Sequence, residues 1–467
     1  MEARRQQVKI AVVNGVIIDE YWTGPGTILI GQDGRIAGVL AQGMPYSVES
    51  EIDAAGMYVF PGGVDAHVHF NDPGRTESED FFTGTAGAAA GGYTTVLEMP
   101  QTKPLVDSAT TLRDKLREVE EKAIVDFGLW AALVPSNARD TSALKAVAEA
   151  GAIGLKAFFC ESDGLARVSE SELAFGLANA RRLGFVVAVH CETQWIIDVE
   201  TDRLIQAGVT DVHEAANAHP AVSETEAARA VLSIARAVDA AVHLVHVSDP
   251  RTVQFAQQMK NTGIDVSVET CPHYLALTRA DLKSKGVWAV CNPPLNTASA
   301  QDGLWRALRL GLIDNIASDH CAYTSAEKEV TDPWKVGPGI NGIQVSLPLL
   351  VEGALRRDVP LPMVAAAFSA GPARRFSLYP KKGSIRPGSD GDLVIMEAGS
   401  PLEIDSSRLF SRCPGTPYEG MIINARIRRT LVRGVTVYLD EGEPEVVVKP
   451  GHGMFLDGQR ARSASLA

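Results

Sequence analysis

The stretch Val64-Asp65-Ala66-His67-Val68-His69-Phe70 ends an apolar run and decides how the rest of the chain is read. Side chains on a β-strand alternate between faces. His67 and His69 therefore point the same way, roughly 6.5 Å apart along the strand, and together can grip one cation. The bland alternative is a pair of surface or core histidines, and the surrounding pattern discriminates between the two.

From about residue 58 the chain repeats one pattern: a short apolar β-rich run, a polar turn, then a helical stretch. The runs end near His69, Pro100, Val134, Phe159, His190, Val247, Tyr274 and His320. Helices are expected over Ser108 to Ala123, Ser169 to Leu183, Ser223 to Ala240 and Ala300 to Leu312, the first with charged residues around a leucine stripe. Eight βα units with apolar strands imply a parallel sheet covered by helices, and eight is the number that closes a TIM barrel. The flanks read differently. Val8 to Asp19 and Gly26 to Leu40 alternate as strands, the second broken at the turn Gln32-Asp33-Gly34, and Gly383 to Glu397 and Ala425 to Asp440 are β-rich again. Because the ends of a domain commonly lie together, both flanks are expected to build one small β-sandwich. The fold class is thus α/β, a (β/α)8 barrel over residues 58–380 inserted into a composite β-sandwich of residues 1–57 and 381–467.

Functional residues of such a barrel sit at the C-terminal ends of its strands. Strand one ends in His67 and His69, strand four carries Lys156, strand five ends in His190, strand six in His243-Leu244-Val245-His246, and strand eight in Asp319-His320. His243 and His246 are an odd number of positions apart, so on a regular strand only one faces inward. His246, at the strand end, is the candidate and His243 is structural. His213, His219 and His452 lie outside the strand ends and are expected at the surface. Lys156, between Leu155 and Ala157-Phe158-Phe159, is costly to bury charged, so its pKa should fall. A neutral amine can add carbon dioxide and become a carbamate, an anionic ligand able to bridge two metals. The expected division is His67, His69 and Asp319 on one divalent ion, His190 and His246 on the other, with carbamylated Lys156 and a hydroxide between them. Imidazole and carboxylate ligands suit zinc, with manganese, cobalt or iron as alternatives. Asp319 is the natural group to take the hydroxide proton and pass it to a leaving nitrogen, which makes the reaction class amide hydrolysis.

Composition narrows the partners. The chain has 467 residues, 45% hydrophobic and 22% charged, as an ordinary globular protein does, and disorder is expected only over Gln459 to Ala467. A formal net charge of −13 disfavours nucleic acid and anionic membranes as partners. The start, Met1 to Tyr21, lacks an apolar signal core, and no run of about twenty apolar residues occurs, so a soluble cytoplasmic protein is expected. Six cysteines without a Cys-x-x-Cys pair read as reduced thiols. Cys160, Cys191, Cys291 and Cys321 lie near the inferred site without an obvious paired base and are taken as packing residues.

These residues resemble the cyclic amidohydrolases of the amidohydrolase superfamily, which include dihydroorotases, dihydropyrimidinases or hydantoinases, and allantoinases. The resemblance runs from Asn14-Gly15 to Gly391-Asp392-Leu393-Val394. It implies the same barrel with a terminal β-sandwich, the metal ligands His67, His69, Lys156, His190, His246 and Asp319, and a homo-oligomer, dimer or tetramer. Dihydroorotases follow the histidine pair with an arginine that binds the substrate carboxylate. Here Asn71 stands at that position and cannot make the bidentate pairing. Dihydropyrimidinases carry a tyrosine five residues after the lysine, where this chain has Glu161. By contrast, His67-Val68-His69-Phe70-Asn71-Asp72-Pro73-Gly74-Arg75-Thr76-Glu77 looks like allantoinase. So do Lys156-Ala157-Phe158-Phe159-Cys160-Glu161-Ser162-Asp163-Gly164, Cys271-Pro272-His273-Tyr274 and Cys291-Asn292-Pro293-Pro294. The activity implied is hydrolysis of (S)-allantoin, a small cyclic ureide, to allantoate. Asn71, Asn292, Ser318 and the Gly337–Gly342 loop, Gly342 included, are the candidate substrate contacts; Asn71 and Asn292 also read as turn residues. The alternatives are a hydantoinase or dihydropyrimidinase acting on other 5-substituted rings, and a non-catalytic scaffold, against which the presence of all six ligands argues.

Overall fold

The expected βα repeats are present and close on themselves. The computed structural model describes residues 8–162 and 164–465; Met1–Gln7 of the basic start, Asp163, and Leu466 and Ala467 of the tail lie outside the described residues. Six strands of the N-terminal flank come first: β1 (Val8–Val13), β2 (Val16–Ile18), β3 (Thr23–Gly31), β4 (Ile36–Ala41), β5 (Ser50–Asp53) and β6 (Tyr58–Pro61). The barrel follows with β7 (Gly63–His69), β8 (Tyr93–Glu98), β9 (Asp126–Leu129) with β10 (Ala131–Ala132), β11 (Leu155–Phe158), β12 (Val187–His190), β13 (Val242–Leu244), β14 (Val266–Thr270), and β15 (Asn315–Ile316) with β16 (His320–Cys321). The C-terminal flank adds β17 (Leu393–Glu403), β18 (Ile422–Val432), β19 (Val435–Asp440) and β20 (Pro444–Val446).

All neighbouring barrel strands run parallel. The third strand is divided at Trp130, whose amide pairs with Glu98 on one side while Ala131 pairs with Gly154 on the other. The eighth is divided over Ala317–Asp319, and β16 closes the ring against β7 through His320 opposite Val68. Small, branched and aromatic side chains fill the interior, among them Val64, Ala66, Leu97, Trp130, Ala188 and Val245, with Phe376 packed against them. The outer helices lie where the leucine and alanine stripes place them, at Ala109–Val119, Glu170–Leu183, Ala221–Val238 and Ala298–Arg309. Ser108, Ser169 and Thr297 cap three of these with their side chains.

Both flanks meet in one hydrogen-bonded sheet, in the order β20-β19-β18-β17-β6-β2-β3-β1-β5, with β4 on the side of β3. β6 is the seam, parallel to β2 of the N-terminal flank and antiparallel to β17 of the C-terminal one. The chain passes from this sheet to the barrel between β6 and β7, at Gly62. One expectation is corrected at the C-terminus. Gly458–Ser465, within the tail expected to be disordered, is a helix, and it packs on the barrel, not the sheet, with the Arg462 guanidinium 4.3 Å from the Phe185 ring centroid. No helix among the described residues is long and apolar enough to cross a membrane.

One buried ion cluster ties sheet to barrel. Lys382, with no exposed surface, reaches Asp126 at the start of β9, and Asp390 and Asp392, each at 2.9 Å, in the turn leading to β17. Arg433 joins it by pairing with Asp126 and donating its amide to Asp392 at 2.7 Å. Lys382→Met would leave three buried carboxylates short of a counter-charge. The expected loss is about 3–5 kcal/mol in urea unfolding, and a loss below about 1 kcal/mol would show that the cluster does not hold the two parts together.

Candidate active site

The C-terminal ends of the barrel strands open into a cavity of about 690 Å³, lined in its depth by His67, His69, His190, His246 and Asp319. At the end of β7 the His67 and His69 Nε2 atoms lie 3.3 Å apart, and Asp319 Oδ1 is 3.2 Å from the first and 3.5 Å from the second. Across the barrel His190 Nδ1 lies 2.9 Å from His246 Nε2. The His67 and His246 rings, 5.4 Å apart between centroids, join the two groups. Lys156 emerges from β11 with no exposed surface, its Nζ 4.9 Å from the centroid of the Phe158 ring, which itself stacks on His190.

Two of the imidazoles are turned by a carboxylate behind them. Glu269, from β14, accepts from His67 Nδ1 at 2.9 Å, which leaves Nε2 directed into the cavity. Glu192 holds His190 Nε2 at 2.8 Å and leaves Nδ1 facing His246. Burial lowers the pKa of His67, His190 and His246, so their inward nitrogens carry lone pairs at neutral pH. Burial likewise lowers Lys156 to about 8, although Asp319 and Glu269 pull the other way. Burial raises Glu192 less than the His219 charge and the hydrogen bonds from His190 and His219 lower it, and it settles at about 2.

The donor set suits divalent cations. His67, His69 and Asp319 bring ligand atoms within 4.8 Å of one another. Among the described residues, Lys156 Nζ and His246 Nδ1 are buried without a hydrogen-bond partner, a cost a protein interior does not leave standing without a use. Neutral imidazole nitrogens that converge to 2.9 and 3.3 Å have lone pairs to offer a metal.

The sequence-predicted residues divide as follows. His67, His69, Lys156, His190, His246 and Asp319 come together. His246 lies beyond the end of β13 with φ of 38°, so the alternation rule no longer applies to it. His243 also points inward, and its ring is held by Ser267 Oγ at 2.7 Å and Glu269 Oε2 at 3.0 Å, a structural role. Asn71 and Asn292 line the cavity. Asn71 is also a turn residue, with φ of 59° and its Nδ2 3.3 Å from the Ala322 carbonyl.

Three further residues are placed as follows. Ser318 turns away from the cavity: its amide donates to Asp65 at 3.0 Å and its hydroxyl accepts from the His320 amide at 3.0 Å, which pins the divided eighth strand to β7. Gly342 is packed under Tyr418 with its amide on His320 Nδ1, and it is Gly337 and Pro338 of that loop that reach the cavity. His219 is not a surface residue; it holds Glu192 at 2.9 Å and lines the cavity wall. The cysteines near the site are poor nucleophiles, since burial raises every one of these thiols, Cys291 and Cys321 to about 12.

Sequence reasoning missed the carboxylates behind the histidines. Glu269 ends β14 as the histidines end their own strands, and Glu192 follows His190 by two residues, so each carried the same positional signal. Glu192→Gln should leave the fold intact and weaken zinc binding about 10- to 100-fold in chelator competition; unchanged affinity would mean that Glu192 does not orient His190.

Comparison with known proteins agrees with this geometry. Residues 58–437 match the model of the amidohydrolase family. An allantoinase of Deinococcus radiodurans is 39% identical over 83% of this chain and 86% of its own length. An allantoinase of Solibacter usitatus is 37% identical over 90% and 91%. The solved L-hydantoinase (dihydropyrimidinase) of Arthrobacter aurescens superposes with a TM-score of 0.92 at 30% identity, covering 97% of this chain and all of its own. With its hydrolase-type cluster at the mouth of the barrel and relatives that span nearly its whole length, the chain belongs to the amidohydrolase family.

Proposed function

We propose that this enzyme hydrolyses (S)-allantoin to allantoate. The observation that carries the reading is kinship with proteins named allantoinase over more than four-fifths of the chain, at 37–39% identity, in a protein whose cavity walls bear amide side chains. Asn71, Gln101, Gln194 and Asn292 are among the lining residues, and none of them is a dedicated clamp for a carboxylate. Allantoin is a hydantoin ring with a ureido arm, a ligand made almost wholly of hydrogen-bonding groups.

The reaction adds water to the ring carbonyl carbon beside the substituted carbon and breaks its bond to the ring nitrogen. A carboxylate and a second ureido group result. His67, His69 and Asp319 would hold one divalent ion and His190 and His246 another, with Lys156 as a carbamate between them. Bound zinc, or manganese, cobalt or iron in its place, supplies Lewis acidity and a lowered water pKa. The Lys156 amine, made less basic by burial, has a neutral fraction that can attack carbon dioxide, forming the N–C bond and releasing one proton. Asp319, on the floor of the cavity, takes the proton of the attacking water and delivers it to the leaving ring nitrogen. The ring stacked on His190, that of Phe158, and the buried Glu269 keep these groups in place while the ring opens. The reading includes a cytoplasmic homo-oligomer.

A second reading has specific support: the solved L-hydantoinase covers the whole fold at a TM-score of 0.92, so a hydantoin with another 5-substituent is the competing substrate. Turnover of the zinc-loaded enzyme on allantoin, hydantoin, dihydrouracil and dihydroorotate side by side decides between them. A higher kcat/KM for allantoin is expected, and preference for hydantoin or dihydrouracil would move the protein to the second reading. Lys156→Ala should lose at least about 1,000-fold in kcat, with partial rescue by a short carboxylic acid; full activity would refute the role given to Lys156.

A further inference from the structure

The cavity is wider than a five-membered ring requires, and its rim holds a pair of charges that the metal-type cluster does not use. Arg75, from the loop after β7, pairs with Glu327, from the loop after β16, and its guanidinium lies 4.8 Å from the centroid of the Tyr323 ring. All three side chains line the same cavity as His67, His69 and Asp319. They belong to the same wall. The Arg75 amide donates to the Asn71 carbonyl at 2.9 Å, and Asn71 in turn reaches the carbonyl of Ala322, the residue before Tyr323. The loop is held rigidly. Gly74 has φ of 113°, and a Cβ there would come within 2.5 Å of the Lys103 side chain, so glycine alone fits and Arg75 is presented at a fixed point.

Glu327 is equally fixed. Its Oε2 accepts from the Thr324 amide at 2.8 Å and hydroxyl at 2.9 Å, leaving Oε1 toward Arg75. Only Nη2 of Arg75 serves that pair, so most of the five guanidinium donors stand outside it. Of the charged lining residues outside the histidine cluster and its carboxylates Glu192 and Asp319, Lys103, Glu161 and Lys335 are exposed, whereas Arg75 and Glu327 are 20% and 34% exposed.

We propose that Arg75 and Glu327, backed by Tyr323, read a ureido arm on the substrate ring. The proposal rests on the allantoin reading and adds to it the residues that select the arm. A ureido group carries one carbonyl acceptor beside N–H donors. A guanidinium next to a carboxylate offers the complementary donors and acceptor on one edge. An alkyl or aryl arm would desolvate both charges and return no hydrogen bond, a penalty that a polar arm avoids.

The test measures kcat and KM separately for allantoin and for unsubstituted hydantoin, in the zinc-loaded enzyme and in Arg75→Gln and Glu327→Gln. Arg75→Gln is expected to raise KM for allantoin about 10- to 100-fold with kcat changed less than about threefold, and to change kcat/KM for hydantoin by a far smaller factor. Glu327→Gln should move KM for allantoin the same way by less. Equal losses on both substrates, or no change on allantoin while the unaltered enzyme prefers it, overturn the proposal and leave the allantoin reading intact. An unaltered enzyme that opens hydantoin and not allantoin overturns both. Should Arg75→Gln not fold, as judged by circular dichroism, Arg75→Lys decides. It keeps the charge and loses the fork, and KM for allantoin unmoved in that variant counts against the proposal.

Discussion

Glu269 is the residue on which the site is hung. It is fully buried, and each of its oxygens serves two partners. Oε1 takes His67 Nδ1 and the His246 amide, and Oε2 takes His243 Nε2 and Asn315 Nδ2 at 2.8 Å. One side chain on the seventh barrel strand therefore fixes residues of the first, sixth and eighth. Burial raises its pKa to about 8 and the Lys156 charge lowers it. A lone buried carboxylate is expensive, but one with four partners is a rigid node, and here it also decides which nitrogen of His67 faces the cavity.

The backbone contributes a second constraint. Asn71, His246 and Asp319 all adopt positive φ, at 59°, 38° and 46°. This conformation is uncommon for residues other than glycine, and tolerated best by Asn and Asp. Each of the three stands where a strand has just ended or is divided, and each turns its side chain out of the regular alternation toward the cavity. Strain of this kind persists only where the surroundings over-determine it. At His246 they do so through the hydrogen bond from its amide to Glu269, and next to Asp319 through the Ser318 amide on Asp65.

Much of this was legible in the sequence, for physical reasons that can be named. Short continuous apolar runs and leucine-striped helices placed the barrel, because burying both faces of a parallel sheet demands them. His67, His69, His190 and Asp319 stood out because polar residues at the end of an apolar strand are rare without a use. The alternation rule gave His246 on a premise that fails, since His243 also faces inward and the chain between the two is not a regular strand. What stayed hidden was whatever depends on a partner distant in sequence: Glu269 behind His67, His219 behind Glu192, and the bond of Ser318 to Asp65. A Glu or Ser at a strand end marks a position near the site but not which histidine or aspartate it will meet. The C-terminal helix was missed because its polar residues lack a strong apolar stripe, and it is held by the barrel it packs on.

The two ends of the barrel carry different duties, and the terminal sheet serves both. At the N-terminal end of the strands, the Lys382 and Arg433 cluster joins Asp126 of β9 to the turn before β17. At the other end, the chain between β17 and β18 reaches over the cavity rim. Ser411 donates to Glu79 at 2.5 Å, and Glu79 holds His320 Nε2 at 3.1 Å. Arg412 donates to the Thr76 carbonyl at 2.7 Å, and Thr416 to the Asn341 carbonyl at 2.7 Å. These contacts brace the loops after the first and eighth strands, the same loops that bear Arg75, Tyr323 and Glu327. The histidine cluster is fixed by the barrel's own strands, whereas the rim is fixed from outside by a segment of the flanking sheet. Changes in that segment can therefore reshape what the cavity admits without disturbing His67, His190 or Glu269.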